Sequence, residues 1–271
     1  MTGVQTCALP ISILFTTCIT DGHARPTVPE PASVAGLRAM TAINDFLRPW
    51  LRRLFAVCVA WPICLVVLGM NIRHRNRLPL KGPAIVTPNH NSHLDTAAML
   101  TIFPLSVIPI VRPVAAADYF LKSGLMSWFS KNLVGIIPIV RKRPKAEGDA
   151  DGVEADPLQG CYDALERGEI LIIFPEGTRG EPEQMQALKS GVAVLASKYP
   201  DVPVVPVFMH GLGKSLPKGT FIPVPFFVDV NIGQPMYWAD DSAGGDKKVF
   251  MAELSSRMKI LSEKYERPEY E

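Results

Sequence analysis

Cysteine is scarce in this chain, and the five that occur follow no pattern that chemistry uses. Cys7, Cys18, Cys58, Cys64 and Cys161 show neither metal-ligand spacing nor a disulfide framework. They read as free thiols in a reducing compartment. A G-x-S-x-G nucleophile elbow is missing, and no cysteine lies near the polar motifs described below. Direct transfer is therefore preferred over a covalent intermediate on the protein. The P-loop is missing too. Gly213-Lys214-Ser215 follows an apolar run as the end of such a loop would, but the pattern needs glycine at position 208, which is Phe. Net charge is only +2, too balanced to point to nucleic acid.

What the chain does have is apolar material. Of 271 residues 48% are hydrophobic and 20% charged, enough for one sizeable domain with an appendage. Acids are almost absent between residues 36 and 82. Asp45 stands alone there against Arg38, Arg48, Arg52, Arg53, Arg73, Arg75, Arg77 and Lys81. Inside this basic cluster lies Leu54–Met70, 17 residues without a charge. That is the lower limit for a bilayer span. Trp50 and Trp61 suit an interface, and Pro62 predicts a kink. Arginines on both flanks favour a spanning or half-inserted helix over a buried soluble one, and leave its orientation undetermined.

The first twelve residues, MTGVQTCALPIS, resemble a translated sequencing adapter; if they are one, the true start is expected downstream, with Met40 the candidate. The Pro-rich stretch Pro26–Pro31 predicts disorder. The expected organisation is a disordered region 1–35, a membrane-associating helical segment 36–80, an α/β domain 81–240 and a C-terminal amphipathic helix 241–271.

From Lys81 onward short apolar runs alternate with helical patterns. Strands are expected at Ala84–Thr87, Val107–Arg112, Gly135–Val140, Ile170–Phe174, Val202–Met209 and Phe226–Ile232. Helices are expected at Ser92–Ile102, Ala116–Lys131, Asp156–Gly168, Gln184–Lys198 and Asp246–Glu263. Asp156-Pro157 is an N-cap followed by proline at N1, and Gly168 a stop. Phe250, Leu254, Met258 and Leu261 fall on one face of the last helix. Alternating strands and helices predict an α/β fold with a largely parallel sheet.

The chain is organised around Thr87-Pro88-Asn89-His90-Asn91-Ser92-His93-Leu94-Asp95, a polar turn between an apolar strand and a helix. On one continuous helix His90 and Asp95 would point about 140° apart. They meet only if His90 lies in the turn and Asp95 in the first helical turn. Asp95 would then orient the imidazole and leave its other nitrogen as a general base. Ser92-His93-Leu94-Asp95 equally fits a capping box, with Ser92 at N-cap and Asp95 at N3. His93 is the competing histidine and reads as a first-turn surface residue.

Phe174-Pro175-Glu176-Gly177-Thr178-Arg179 follows another apolar strand. Parallel sheets bind ligands at the carboxyl ends of their strands. Gly177 permits a tight turn and Arg179 offers a bidentate donor suited to phosphate. An ordinary turn with a surface Glu–Arg pair is the plainer alternative. Gly135–Val140 ends in Arg141, then Lys142 and Arg143. Lys189-Ser190-Gly191 is expected within the helix after the turn, with Lys189 either solvated or touching phosphate.

The blocks NHNSHLD, GIIPIVR, FPEGTR and VPVVPV, in this order over about residues 80–235, resemble the glycerolipid acyltransferase family that includes the 1-acyl-sn-glycerol-3-phosphate (lysophosphatidate) acyltransferases. The resemblance implies an α/β domain behind an N-terminal membrane-associating segment. It implies transfer of a fatty acyl group from acyl-CoA or acyl-carrier protein to the free hydroxyl of lysophosphatidate, giving phosphatidate in phospholipid biosynthesis. His90 and Asp95 match the catalytic pair. Arg141 and Glu176, Gly177, Thr178 and Arg179 match the acceptor-phosphate elements. No cofactor beyond the acyl donor and no metal are implied. The implied partners are membrane lipids, the lysophospholipid and the donor, with the catalytic domain on the cytoplasmic face of the inner membrane. The chain departs at Val140, where many members carry an acid. That leaves open another lysophospholipid or a lyso-ornithine lipid as acceptor, and a non-catalytic membrane-anchored lipid-binding protein as the third reading.

Overall fold

The computed structural model of the chain describes residues 46–92, 94–117, 124–139, 156–180, 184–215, 227–239 and 245–263. The expected region 1–35, His93, Val140 and Arg141 lie outside them.

Seven strands form one sheet in the order β1-β7-β6-β2-β5-β3-β4. They are β1 (Asn71–Arg73), β2 (Ala84–Pro88), β3 (Val111–Ala116), β4 (Ile137–Ile139), β5 (Ile170–Ile173), β6 (Val204–His210) and β7 (Asp229–Ile232). The five strands from β6 to β4 are parallel. β7 runs antiparallel to β6, and β1 parallel to β7. The expected α/β fold with a largely parallel sheet is therefore present, with two reversed strands at one edge. β2 and β5 are buried at every position. They read as unbroken apolar runs because helices cover both faces of the sheet.

The helices of six or more described residues, in chain order, are α1 (Phe46–Val67), α2 (Asp95–Ile102), α3 (Gly124–Phe129), α4 (Gln159–Glu166), α5 (Gly191–Lys198) and α6 (Lys247–Glu263), and a four-residue helix, Leu212–Ser215, follows β6. One face of the sheet packs with α1 and α2, through Ala56, Leu68, Met99 and Ile102 among others. The opposite face packs with α4, α5 and α6. Phe250, Leu254, Met258 and Leu261 of α6 are all buried. Each such burial contributes about 1.5–3 kcal/mol, so α6 is part of the core.

α1 is 22 residues long and, among the described residues, the only helix long and apolar enough to cross a membrane. Pro62 opens the second of two wide π-type turns, Ala56–Ala60 and Pro62–Val67. Such turns accommodate the hydrogen bond that proline cannot make. Phe46, Trp50, Leu54 and Val66 are exposed along α1. Its arginines, expected as charges flanking an apolar run, turn instead to the body of the protein. Arg52 is buried and donates to the carbonyls of Pro109, Val111 and Val134. Arg53 donates to Leu105 O and Arg48 to Asn132 Oδ1.

Several boundaries differ from expectation. Residues 107–110 form a tight turn around Pro109 before β3 begins at Val111, so the strand starts and ends later than Val107–Arg112. Of the expected helix Ala116–Lys131, Ala116 belongs to β3, Ala117 and Gly124–Phe129 are helical, and a π-type turn carries the chain on to Val134. Gly135 ends that turn at φ +80°. The helix expected from Gln184 begins only at Gly191. Residues 184–189 are held extended because Gln186 N–H donates to Glu176 and Lys189 N–H to Pro175 O. Lys189 therefore precedes the helix in which it was expected.

Candidate active site

β2 and β5 are hydrogen-bonded neighbours with Val86 beside Ile172. Their following loops, 89–94 and 174–180, leave the carboxyl edge of the sheet side by side. This is where open parallel sheets bind ligands.

Asn89 extends β2 by one rung. Its buried amide accepts from Met209 N–H at 2.7 Å and donates to Met209 O at 2.9 Å. His90 follows. Its Nδ1 lies 2.8 Å from Asp95 Oδ2. The same oxygen accepts from the N–H groups of Asn91 at 2.6 Å and Ser92 at 2.8 Å. An oxygen already accepting two backbone donors also accepts from the ring, so Nδ1 carries the proton and Nε2 the lone pair. The helix begins at Asp95, three residues later than expected, and the N–H groups of Asn91 and Ser92 turn to this carboxylate. The capping-box contact from Asp95 back to Ser92 N–H is present together with the histidine pairing. Asp95 is wholly buried, and burial raises its pKa against the opposing pull of the hydrogen bonds from His90, Ser92 and Asn91. Asp95 Oδ1 has no partner among the described residues.

The second loop holds the first. Glu176 Oε1 accepts from His90 N–H at 3.0 Å and Gly180 N–H donates to His90 O at 3.1 Å. The Phe174 ring stacks on the imidazole, centroids 4.2 Å apart and planes 27° apart. Burial raises the Glu176 pKa, and the N–H groups of His90 and Gln186 lower it.

These loops open onto a cavity of about 530 Å³, a size that holds a small organic ligand. The lining includes the polar and cationic side chains of His90, Thr178, Arg179 and Lys189. It also includes the apolar side chains of Val114, Ile139, Ile173 and Leu195. Gly177 sits at φ +68°, and a side chain there would meet Lys189 Nζ at 2.7 Å. The turn thus needs glycine both for its backbone and for the lysine that lies against it.

Of the residues expected at the site, the structure brings His90 and Asp95 together. It sets Gly177, Thr178, Arg179 and Lys189 on the cavity wall. Glu176 differs: it was expected among the acceptor-binding residues, but it is buried and absent from the lining. Its two oxygens are taken by backbone N–H groups of His90 and Gln186. Phe174, Asn89 and Thr96 were not singled out. Thr96 lines the cavity one residue beyond Asp95, and nothing in its sequence setting marks it. Among the described residues no three His, Cys, Asp or Glu side chains gather as a metal site. Cys161 is buried and its thiol pushed up to about 12 by that burial, which makes it unreactive.

Comparison with known proteins gives a consistent result. The acyltransferase family model matches residues 69–210. A chloroplastic 1-acyl-sn-glycerol-3-phosphate acyltransferase from Arabidopsis thaliana is 28% identical over 157 residues, covering 56% of this chain and 38% of that protein. Human 1-acyl-sn-glycerol-3-phosphate acyltransferase alpha is 33% identical over 143 residues, covering 52% of this chain and 46% of that protein. The chain thus spans less than half the length of these curated relatives. The crystal structure of the 1-acyl-sn-glycerophosphate acyltransferase PlsC from Thermotoga maritima shares the fold. Its TM-score is 0.62 at 18% identity, covering 87% of this chain and 89% of that one.

Proposed function

The chain belongs to the acyltransferase family, and on that premise we propose that it moves a fatty acyl group from a CoA or carrier-protein thioester to the free hydroxyl of lysophosphatidate. The observation that carries this reading is the His90–Asp95 pair at 2.8 Å on the same cavity as Arg179 and Lys189. A base stands beside two cations that suit a phosphate. The names of the relatives point to the same acceptor.

An alcohol attacks a thioester slowly at neutral pH unless its proton is removed as the new bond forms. Nε2 of His90 takes that proton while the hydroxyl oxygen bonds to the thioester carbon. The imidazolium that results is stabilised by Asp95 through Nδ1–H. Collapse of the tetrahedral adduct breaks the carbon–sulfur bond, and the departing sulfur takes the proton back from Nε2. Arg179 and Lys189 hold the phosphate and so place the hydroxyl. Positioning of this kind can lower a barrier by up to roughly 7–11 kcal/mol. Arg141, outside the described residues, is proposed as a further phosphate ligand. The apolar side chains of Val114, Ile139, Ile173 and Leu195 suit the acyl chain. Neither metal nor other cofactor has a part in this route.

We place the catalytic domain at the cytoplasmic face of the inner membrane. The exposed apolar side chains of α1, with Trp50 among them, support contact with lipid.

The test is acyl transfer by membranes containing the protein. Labelled acyl-CoA and acyl-carrier protein are each offered against lysophosphatidate, lysophosphatidylethanolamine, a lyso-ornithine lipid and glycerol-3-phosphate. Product from lysophosphatidate supports the reading and names the donor. Product from another acceptor alone keeps the chemistry and overturns the acceptor.

A further inference from the structure

The family resemblance assigns the whole Glu176–Arg179 turn to the acceptor phosphate. Two residues of the Phe174–Gly180 loop are placed for something else. Glu176 is only 1% exposed, and it spends Oε1 on His90 N–H and Oε2 on Gln186 N–H. A carboxylate this buried, and not part of the cavity lining, does not face a ligand there. Its charge would also repel a phosphate. Phe174 lies against the face of the imidazole. Gly180 N–H completes the grip on His90 O. The backbone donor, the backbone acceptor and the ring face of one histidine are therefore all held by this one loop, while Asp95 holds Nδ1.

We propose that Glu176 and Phe174 are positioning residues for His90, so that the loop presenting Arg179 to the acceptor also fixes the base that deprotonates it. The consequence is a set separation between phosphate site and base. Pro175 O takes Lys189 N–H, so the second cation is tied to the same loop. Lysophosphatidate carries its phosphate and its free hydroxyl on one three-carbon backbone, and a rigid separation selects for that arrangement. The kinetic form of the inference rests on the acyl-transfer reading; its spectroscopic form does not.

The test uses the full chain in detergent micelles, labelled with ¹⁵N-histidine, with variants Glu176→Ala, Glu176→Gln, Phe174→Leu and Arg179→Ala. Circular dichroism confirms folding of each. Positioning predicts that Glu176→Ala lowers kcat by about 100-fold, the scale of a misplaced reacting group, with acceptor KM unchanged. Glu176→Gln keeps one acceptor oxygen and loses less. Phe174→Leu lowers kcat likewise, and Arg179→Ala raises KM. The His90 ring resonances shift in Glu176→Gln and Phe174→Leu and stay in place in Arg179→Ala. A raised KM with kcat intact in Glu176→Gln, and His90 resonances that do not move, overturns the inference and makes Glu176 a ligand of the acceptor. If the parent protein transfers no acyl group to any acceptor, the functional reading fails and the His90 resonances alone decide the positioning. If Glu176→Ala does not fold, the isosteric Glu176→Gln decides.

Discussion

One oxygen of Asp95 serves both His90 and the backbone that leads into α2. Asp95 Oδ2 receives Ser92 N–H at 2.8 Å and His90 Nδ1 at the same distance. The contact expected of a capping box and the pairing with His90 thus fall on one carboxylate oxygen, although the N-cap position of the helix is Leu94 and not Ser92.

Substitution separates the two roles. Asp95→Ala strands buried N–H donors at Asn91, Ser92 and His90, at a cost of roughly 1–3 kcal/mol each. Urea unfolding should show a large loss of stability. Asp95→Asn keeps an oxygen for the N–H groups of Asn91 and Ser92 but cannot stabilise an imidazolium. It should fold, and lose about 10²–10⁴ in kcat. Equal stability losses in the two variants would contradict this division.

Gly177 makes a second case. Its φ of +68° costs an alanine about 1–2 kcal/mol, and the new methyl meets Lys189. Gly177→Ala should lower the urea midpoint and raise acceptor KM more than it lowers kcat. An unchanged KM would show that Lys189 does not touch the acceptor.

Glu176 carries a pH signature. Burial raises its carboxyl above the ordinary glutamate value of about 4.3. The folded state then binds this proton more tightly than the unfolded chain. The stability it adds is fully present below the ordinary value and is lost as pH rises through the raised one. Glu176→Gln has no such proton. Its stability relative to the parent should therefore improve as pH rises from about 4 to about 7, read from urea melts across that range. A gap that stays constant or narrows in the other direction would contradict the raised value.

Arg52 tests how firmly α1 is joined to the domain. Arg52→Met leaves the carbonyls of Pro109, Val111 and Val134 without their shared donor, at roughly 1–3 kcal/mol for each buried group. Arg53→Met loses one half-buried contact and should cost less. Similar midpoints for the two variants would mean that Arg52 does not join them.

Much of this was legible before any coordinates. β2, β5 and β6 are apolar runs that only a twice-covered sheet produces, and the polar motifs mark their carboxyl ends. What escaped were features decided by long-range contacts. Met185, Leu188, Val192 and Leu195 look like one helical face, yet Glu176 and Pro175 hold the first two residues' segment out of the helix. Pro109 lies in a turn that delays β3, so the strand stands four residues further along than the apolar run Val107–Arg112 suggests. Arg52 looked like a charge waiting at a membrane, because no local pattern shows that three carbonyls lie within its reach. Phe174 looked like the last residue of a strand, because an apolar side chain carries no sign that it packs on a histidine 84 residues away in the sequence.

The central claim is that His90 deprotonates the acceptor directly. Initial rates of transfer to lysophosphatidate by the parent protein and by His90→Ala, at equal folded concentration and with the protein recovered afterwards for mass spectrometry, test it most directly. The account predicts a fall of about 10²–10⁴ in kcat and no acyl group on the parent protein. Transfer that survives His90→Ala, or a stable acyl adduct on the parent chain during turnover, would contradict it.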